Sequence, residues 1–481
     1  MSTDTYEMVV GLEVHVQLKT RSKAFCGCSA DFGAPPNANT CPVCLALPGA
    51  LPVLNEKAVT LATRAAVALG CKVNETSVFA RKNYFYPDLP KGFQISQYDR
   101  PLATGGGLAI TTANGEEKVI GITRLHMEED AGKSIHDRYS GITAIDLNRS
   151  GVPLIEIVSE PDIRSAAEAG AYLRTLRQVL QYLDVSDVSM EEGSLRVDAN
   201  VSARKKGETK LGTKTEVKNM NSFSGVERAL TFEFARQCEL LERGERVSQQ
   251  TLLWDAGKGE ARISRSKEES HDYRYFPEPD LGPLMLDKEW IASITASIPE
   301  LPPARKKRIA AEFSLAPDDV EQLTSNPVVA EYFETVARST GDGKTAANWV
   351  MGELQAALNA SGSELSGFAV RPADLAQLIN MIRDGLVSHA AAKRVFTTMV
   401  ETGKPPAQIA HDHGLLKVGD DAALAGWIDE ALAEHPDEAK RYLAGERKLQ
   451  GVLVGFVMKI SGGRADPKRV NQLLVSRAGG G

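Results

Sequence analysis

The chain has 481 residues, 42% of them hydrophobic and 25% charged, with a formal net charge of −7. This is the composition of a globular protein of two to four domains, and the acidic balance excludes a general polyanion binder. No apolar run approaches the ~20 residues needed to cross a bilayer. The opening MSTDTYEMVV lacks the basic and apolar regions of a secretory signal, so a cytoplasmic location is expected.

From residue 8, MVVGLEVHVQLKT alternates Leu12, Val14, Val16 and Leu18 with Glu13, His15 and Gln17, the period of a strand with one buried face. The carboxylate and imidazole on its other face are either solvated or aimed into a site. Next come Cys26, Cys28, Cys41 and Cys44, a C-x-C and a C-x-x-C separated by twelve residues rich in Gly, Pro and Asn. In a reducing compartment this spacing points to a closed, structural zinc shell, with disulfides or four independent thiols as the alternatives. Cys71 and Cys238 read as core thiols. Residues 81–102 interleave Tyr84, Phe85, Tyr86, Phe93 and Tyr98 with Arg81, Lys82 and Lys91. Such a segment either stacks nucleotide bases or packs as an aromatic loop.

A hairpin is predicted to turn at Asn114-Gly115 and to end in Glu128, Glu129 and Asp130. A further turn near Ser150-Gly151 leads into VPLIEIVSEP, where Glu156 shares a strand face with Leu154 and Val158. A lone carboxylate in that run is paired, metal-bound or at a sheet edge, because burying it alone is too costly. Several carboxylates and one imidazole on strands suit Mg²⁺, which takes oxygen ligands and shares them with substrate phosphates.

Two helices are predicted behind capping boxes, Ser165 to Glu168 and Ser224 to Glu227. Between and after them, Arg196, Asp198, Asn200 and Ser202 share one strand face, and Lys214, Glu216 and Lys218 another. If paired, these strands form a charged wall. It would serve either as cross-strand ion pairs or as cations and carboxylates for phosphoryl transfer. The stretch SRSKEESHDYRYFPEPDL, with Arg265, Lys267, His271, Asp272, Tyr273 and Arg274, is too polar for a core. Two near-matches to a phosphate-binding loop fail at Thr213 and Arg338.

The parts give an α+β layout, a large antiparallel sheet with helices on one side. Proline-rich segments place a boundary near 290–305. Beyond it helices are predicted at 303–312, 317–324, 328–339 and in TAANWVMGELQAALNAS, with a second boundary near 402–414. From Lys440 onward nine Lys/Arg stand against two acids, which reserves one surface for a phosphate backbone. The three C-terminal glycines are expected to fray.

Seven stretches in one order carry a resemblance: GLEVHVQL, RKNYFYPDLPKGFQISQYD, LHMEEDAGK, DLNRSGVPLIEIVSEPD, EEGSLRVDANVS, TEVKNMNSF and RSKEESHDYRYFPEPDL. With GVLVGFVMKISGGRADPKRVNQLL they resemble the B subunits of the bacterial GatCAB tRNA-dependent amidotransferases over essentially the whole chain. The resemblance implies a cradle domain of the glutamine synthetase/guanidino kinase type at 1–295, with a zinc loop at 26–44. An all-α helical domain at 296–405 and a small α-helical YqeY-like tail at 406–481 would follow. It implies a ligase that uses ATP and Mg²⁺ to phosphorylate the side-chain carboxylate of Glu-tRNA(Gln) or Asp-tRNA(Asn). Ammonia from a partner glutaminase, the A subunit, then displaces phosphate; a small C subunit completes a heterotrimer. A non-discriminating aminoacyl-tRNA synthetase is a further expected partner.

By the same resemblance, Glu13, His15, Glu128 and Glu156 match a magnesium cluster, and Asp198, Glu216 and Lys218 join them as catalytic groups. Arg196, Asn200, Glu216 and Lys218 would hold ATP and the acyl end. The four cysteines fit the zinc-carrying branch of the family. Arg447, Lys448, Lys459, Arg464, Lys468 and Arg469 are assigned to the tRNA body. A non-catalytic tRNA-binding scaffold is the alternative function, against which the Glu13–His15 pair and Glu156 count. A stand-alone metal hydrolase is a second, and it has no nucleophile system here. The chain carries no Gly/Ser-rich amidase signature, so its ammonia has to come from a partner.

Overall fold

The computed structural model describes residues 5–135, 141–265, 273–418 and 420–478. Lys267, His271, Asp272 and the C-terminal glycines lie outside them. The alternation at the N-terminus forms a twelve-residue strand, β1 (Tyr6–Gln17). Val10, Leu12, Val14 and Val16 are essentially inaccessible, while Glu13, His15 and Gln17 stay partly open on the other face. A one-residue slip would exchange the two sets and push Glu13 and His15 into the core, so burial itself fixes the register.

β1 lies inside a ten-stranded sheet, antiparallel to Leu195–Lys205 on one side and Pro153–Ser159 on the other. Outward from Leu195–Lys205 come Thr215–Lys218, Thr251–Asp255 and Glu260–Arg265; outward from Pro153–Ser159 come Glu117–Glu129 and two short strands. The predicted hairpin joins Gly107–Thr111 to Glu117–Glu129, with Gly115 at φ +80° in its turn. The sheet departs once from the antiparallel expectation. Thr215–Lys218 and Thr251–Asp255 run parallel because a long helix crosses between them, as parallel neighbours require.

That helix, α3 (Phe223–Glu242), packs with α1 (Glu56–Ala68) and α2 (Ala166–Tyr182) on the apolar face. Leu61, Tyr172, Leu176 and Leu230 join Leu12, Val14 and Ile155 in one core. α2 is capped as expected, with Ser165 accepting from the Glu168 N–H. The α3 cap is corrected: Ser222, not Ser224, accepts from the Gly225 N–H at 3.0 Å. The extended backbone at Ser222 (φ −158°, ψ 157°) is the conformation a cap requires. Glu227, released from capping, bonds Arg174 at 2.9 Å. The chain does turn at Gly151, but Ala144–Asp146 pairs with Lys133–Ile135 and not with Pro153–Ser159. A three-stranded sheet of Phe276–Pro277, Ala80–Asn83 and Phe93–Ser96 completes the parts that matter for the site.

The chain divides into two compact units, Met1–Pro302 and Pro303–Gly481. In the second, helices Pro317–Leu323 and Pro327–Thr340 enclose a core with Phe333, Trp349, Leu378, Phe396 and Ile409. The stretch expected as one helix there is Gly343–Trp349 and Gln355–Ser361 with a π-helical turn, Val350–Leu354, between them. A smaller core forms from Leu424, Ile428, Tyr442, Leu453, Val457 and Leu474. Among the described residues no helix is long and apolar enough to cross a membrane.

Candidate active site

Strand register alone assembles a row of polar side chains on the open face of the sheet. Arg196 lies opposite His15, His15 opposite Glu156, and Glu156 opposite His126. One step along, Asp198 lies opposite Glu13, while Asn200 is opposite Gly11 on one side and Glu216 on the other. The expected magnesium residues divide between two neighbouring groups. One ligand atom each from His15, Glu128 and Glu156 lie within 4.8 Å of one another, and so do those of Glu13, Asp198 and Glu216.

In the first group His15 Nε2 is 3.3 Å from Glu156. His126 Nε2 is 3.3 Å from Glu128 and 3.4 Å from Glu156. The small sheet supplies further partners, Gln94 Nε2 at 2.9 Å and Ser96 Oγ at 2.6 Å from Glu128, with Lys82 Nζ 3.7 Å away. In the second group Lys218 Nζ contacts Asp198 at 2.5 Å and Glu216 at 2.9 Å. Asn200 Nδ2 donates to Glu13 at 3.0 Å. Arg196 forks onto Asp130 at 3.0 and 2.9 Å, and Gln17 donates to the same carboxylate at 2.7 Å.

The electrostatics follow from this crowding. Burial opposes charge on Glu128, but Lys82 and His126 outweigh it and bring its pKa to about 2. Burial likewise opposes ionisation of Glu156, and His126 and His15 hold it well below the usual carboxylate range. Burial disfavours the His126 imidazolium, yet Glu156 and Glu128 push its pKa up to about 9. Glu13 goes the other way. Burial raises its pKa, and Glu156 and Glu216 raise it further against the opposing pull of Lys218. That excess of negative charge around Glu13, with a donor set of carboxylates and one imidazole, fits a divalent cation. The Gln94 and Ser96 bonds to Glu128 are of the kind that orient metal-ligating carboxylates.

His126, Lys82, Gln94 and Ser96 stand outside the site residues expected from sequence. His126 was legible: it precedes Glu128 by two residues and so shares its strand face, as Glu13 does with His15. Lys82, Gln94 and Ser96 come from a separate small sheet that no local pattern ties to the large one.

The four cysteines do converge, with Cys26, Cys28, Cys41 and Cys44 Sγ atoms all within 4.8 Å of one another. A tetrahedral zinc with Zn–S near 2.3 Å would space them by about 3.8 Å, so the set fits the ion after small movement. Cys26 donates to Cys44, whose pKa falls to about 4 against the effect of burial, with the buried Lys23 also favouring the thiolate. Lys23 Nζ donates to the Asn39 carbonyl at 2.7 Å, tying the loop between the two cysteine pairs to the body of the unit.

In the second unit Arg447, Lys448, Lys459, Arg464, Lys468 and Arg469 are all exposed. Two of them are engaged. Arg469 pairs with Asp421 at 2.5 Å, and Arg464 lies over the Trp427 ring at 5.3 Å.

Two family models match the chain, a GatB/GatE catalytic domain over residues 8–292 and a GatB domain over residues 331–477. The B subunit of the aspartyl/glutamyl-tRNA(Asn/Gln) amidotransferase of Moorella thermoacetica is 52% identical over 98% of this chain and 99% of its own. Those of Carboxydothermus hydrogenoformans and Geobacter sulfurreducens are each 51% identical, over 98% and 99% of this chain and 98% and 100% of theirs.

Proposed function

The chain belongs to the family of B subunits of the aspartyl/glutamyl-tRNA(Asn/Gln) amidotransferases, and from that membership we propose the reaction its sheet face performs. The chain is a ligase component that phosphorylates the side-chain carboxylate of Glu on tRNA(Gln) or Asp on tRNA(Asn) with ATP, then amidates it. One carboxylate oxygen attacks the γ-phosphorus and ADP leaves. Ammonia, delivered by a glutaminase A subunit, then attacks the acyl carbon and phosphate leaves. A free carboxylate resists ammonia because oxide is a poor leaving group; phosphate is a good one.

The observation that carries this reading is the pair of carboxylate-rich groups on one sheet face, each met by a lysine, Lys218 from the same sheet and Lys82 from the small one. Glu13, His15, Glu128 and Glu156, with Asp198 and Glu216 beside them, are the residues to hold magnesium. When bound, magnesium neutralises phosphate charge and aligns the reacting oxygens. Lys218 and Lys82 stay charged, since the carboxylates beside them outweigh the burial that opposes their charge. They are placed to meet transferring phosphate oxygens. Arg196 and Asn200 hold ATP or the acyl end, Arg196 kept in orientation by Asp130. Zinc at the four cysteines fixes a loop and takes no part in the chemistry. The division of labour is a cradle domain at 1–295, a helical domain at 296–405 and a tail at 406–481 whose basic groups bind the tRNA body. A small C subunit completes the assembly.

The assay is ADP release by the assembled complex with mischarged or uncharged tRNA. Release confined to mischarged tRNA, abolished by Glu128→Gln with glutaminase activity retained, is the expected result. Unchanged ADP release in that variant removes Glu128 from the mechanism.

A further inference from the structure

Five of the chain's eleven tyrosines form one unbroken series of ring contacts beside the carboxylates. Tyr86 meets Tyr84 edge-on at 6.4 Å, Tyr84 meets Tyr273 at 5.9 Å, and Tyr273 meets Tyr275 at 6.0 Å. Tyr275 then stacks flat on Tyr98, with centroids 4.2 Å apart and planes within 6°. The series touches the catalytic face through Lys82, whose Nζ lies 5.1 Å from the Tyr273 ring and 3.7 Å from Glu128. Burial pushes the Tyr275 phenol up to about 12, with Glu128 and Glu156 adding to it against the pull of Lys82. The ring therefore sits in the field of the same carboxylates.

A purely structural aromatic cluster buries its rings. Here Tyr98, at the end of the flat stack, is half-exposed at 50%. Tyr275 covers one face of its ring, and half of the residue is left open to solvent. Base–aromatic stacking has this geometry and is indifferent to hydrogen-bond pattern. Both substrates of the proposed reaction carry one flat heterocycle of the same kind, the adenine of ATP and the terminal adenine of a tRNA 3′ end.

We propose that the Tyr98–Tyr275 stack is the adenine platform of the active face, Tyr98 offering its open ring to the base of one of these two substrates. The identity of its two sources rests on the phosphorylation reading above; the stacking site itself does not. The test is equilibrium binding to the full chain of Mg-ATP, of an acceptor-stem RNA minihelix ending in adenosine, and of the same minihelix lacking that adenosine. Wild type is compared with Tyr98→Phe, which keeps the ring, and Tyr98→Leu, which keeps apolar bulk without a π face.

Tyr98→Leu should weaken one adenine-bearing probe by roughly five- to a hundredfold, with Tyr98→Phe close to wild type. Loss for ATP assigns the platform to the nucleotide. Loss for the minihelix that disappears when the terminal adenosine is removed assigns it to the tRNA end. Unchanged binding of both probes in Tyr98→Leu overturns the platform, as does unchanged ATP binding together with an equal minihelix loss with and without the terminal adenosine. A wild-type complex that binds adenine through Tyr98 and yet releases no ADP would overturn the phosphorylation reading and leave the platform standing.

Discussion

Asp130→Asn separates a buried carboxylate from the guanidinium it neutralises, and its cost can be worked from the contacts. Asp130 is 4% exposed. Its two oxygens accept from Arg196 at 3.0 and 2.9 Å and from Gln17 at 2.7 Å, with Arg149 Nε at 3.7 Å. Asparagine keeps the shape, but turns one acceptor oxygen into an NH₂ that must face an N–H donor. At least one charge-assisted bond is lost, worth about 1.5–3 kcal/mol, and Arg196 loses its counter-charge. Breaking a buried pair costs about 3–5 kcal/mol. Arg196 is one-third exposed and reaches water, which places the expected loss at the low end, about 3 kcal/mol.

The pH dependence of that loss carries a sign. Burial raises the Asp130 pKa, but Arg196 and Arg149 outweigh it and hold the group below its ordinary value of 3.8. A depressed carboxylate contributes its full stability above the unfolded pKa and loses it as pH falls through the folded one. The difference between wild type and Asp130→Asn should therefore be constant from pH 6 to pH 8. Urea unfolding followed by circular dichroism measures it, and an Asp130→Asn/Arg196→Met double variant should recover part of the loss. A difference under 1 kcal/mol, or one that changes across pH 6–8, refutes the buried-pair account.

Three further outcomes are expected. Cys41→Ser should eliminate one zinc per chain in metal analysis and lower the melting temperature, whereas a metal-free wild type would sink the four-thiolate site. Removing residues 420–481 should weaken tRNA binding and flatten its salt dependence, read by filter binding across ionic strength. That cut spares Ile409 and Ala410, which pack in the larger helical core; a cut at 405 would injure it. Ser222→Ala should cost about 1 kcal/mol in urea unfolding and Ser224→Ala only a few tenths, because only Ser222 caps α3.

What the sequence disclosed and what it withheld divide along the range of the interactions. β1, its buried face and its Glu13–His15 pair are period-two features, and the structure reproduces them residue for residue. The cysteine knuckles were legible because both halves of the set are local pairs. The separation of Glu13 from His15, Glu128 and Glu156 into different groups was not legible. It depends on Leu195–Lys205 pairing with β1 in the register that sets Asp198 opposite Glu13. Lys82, Gln94 and Ser96 were hidden for the same reason, since only tertiary packing brings their small sheet over Glu128. The α3 cap failed at the local level. Ser222 and Ser224 both offer hydroxyls, and the backbone conformation at Ser222 decided between them.

The central claim is that this sheet face makes a carboxyl phosphate, and oxygen transfer tests it most directly. The complex would be given ATP, ammonia and Glu-tRNA(Gln) labelled with ¹⁸O in both side-chain carboxylate oxygens. One ¹⁸O in each phosphate released, in step with amide formation, is the predicted result. Amide formed with unlabelled phosphate would contradict it.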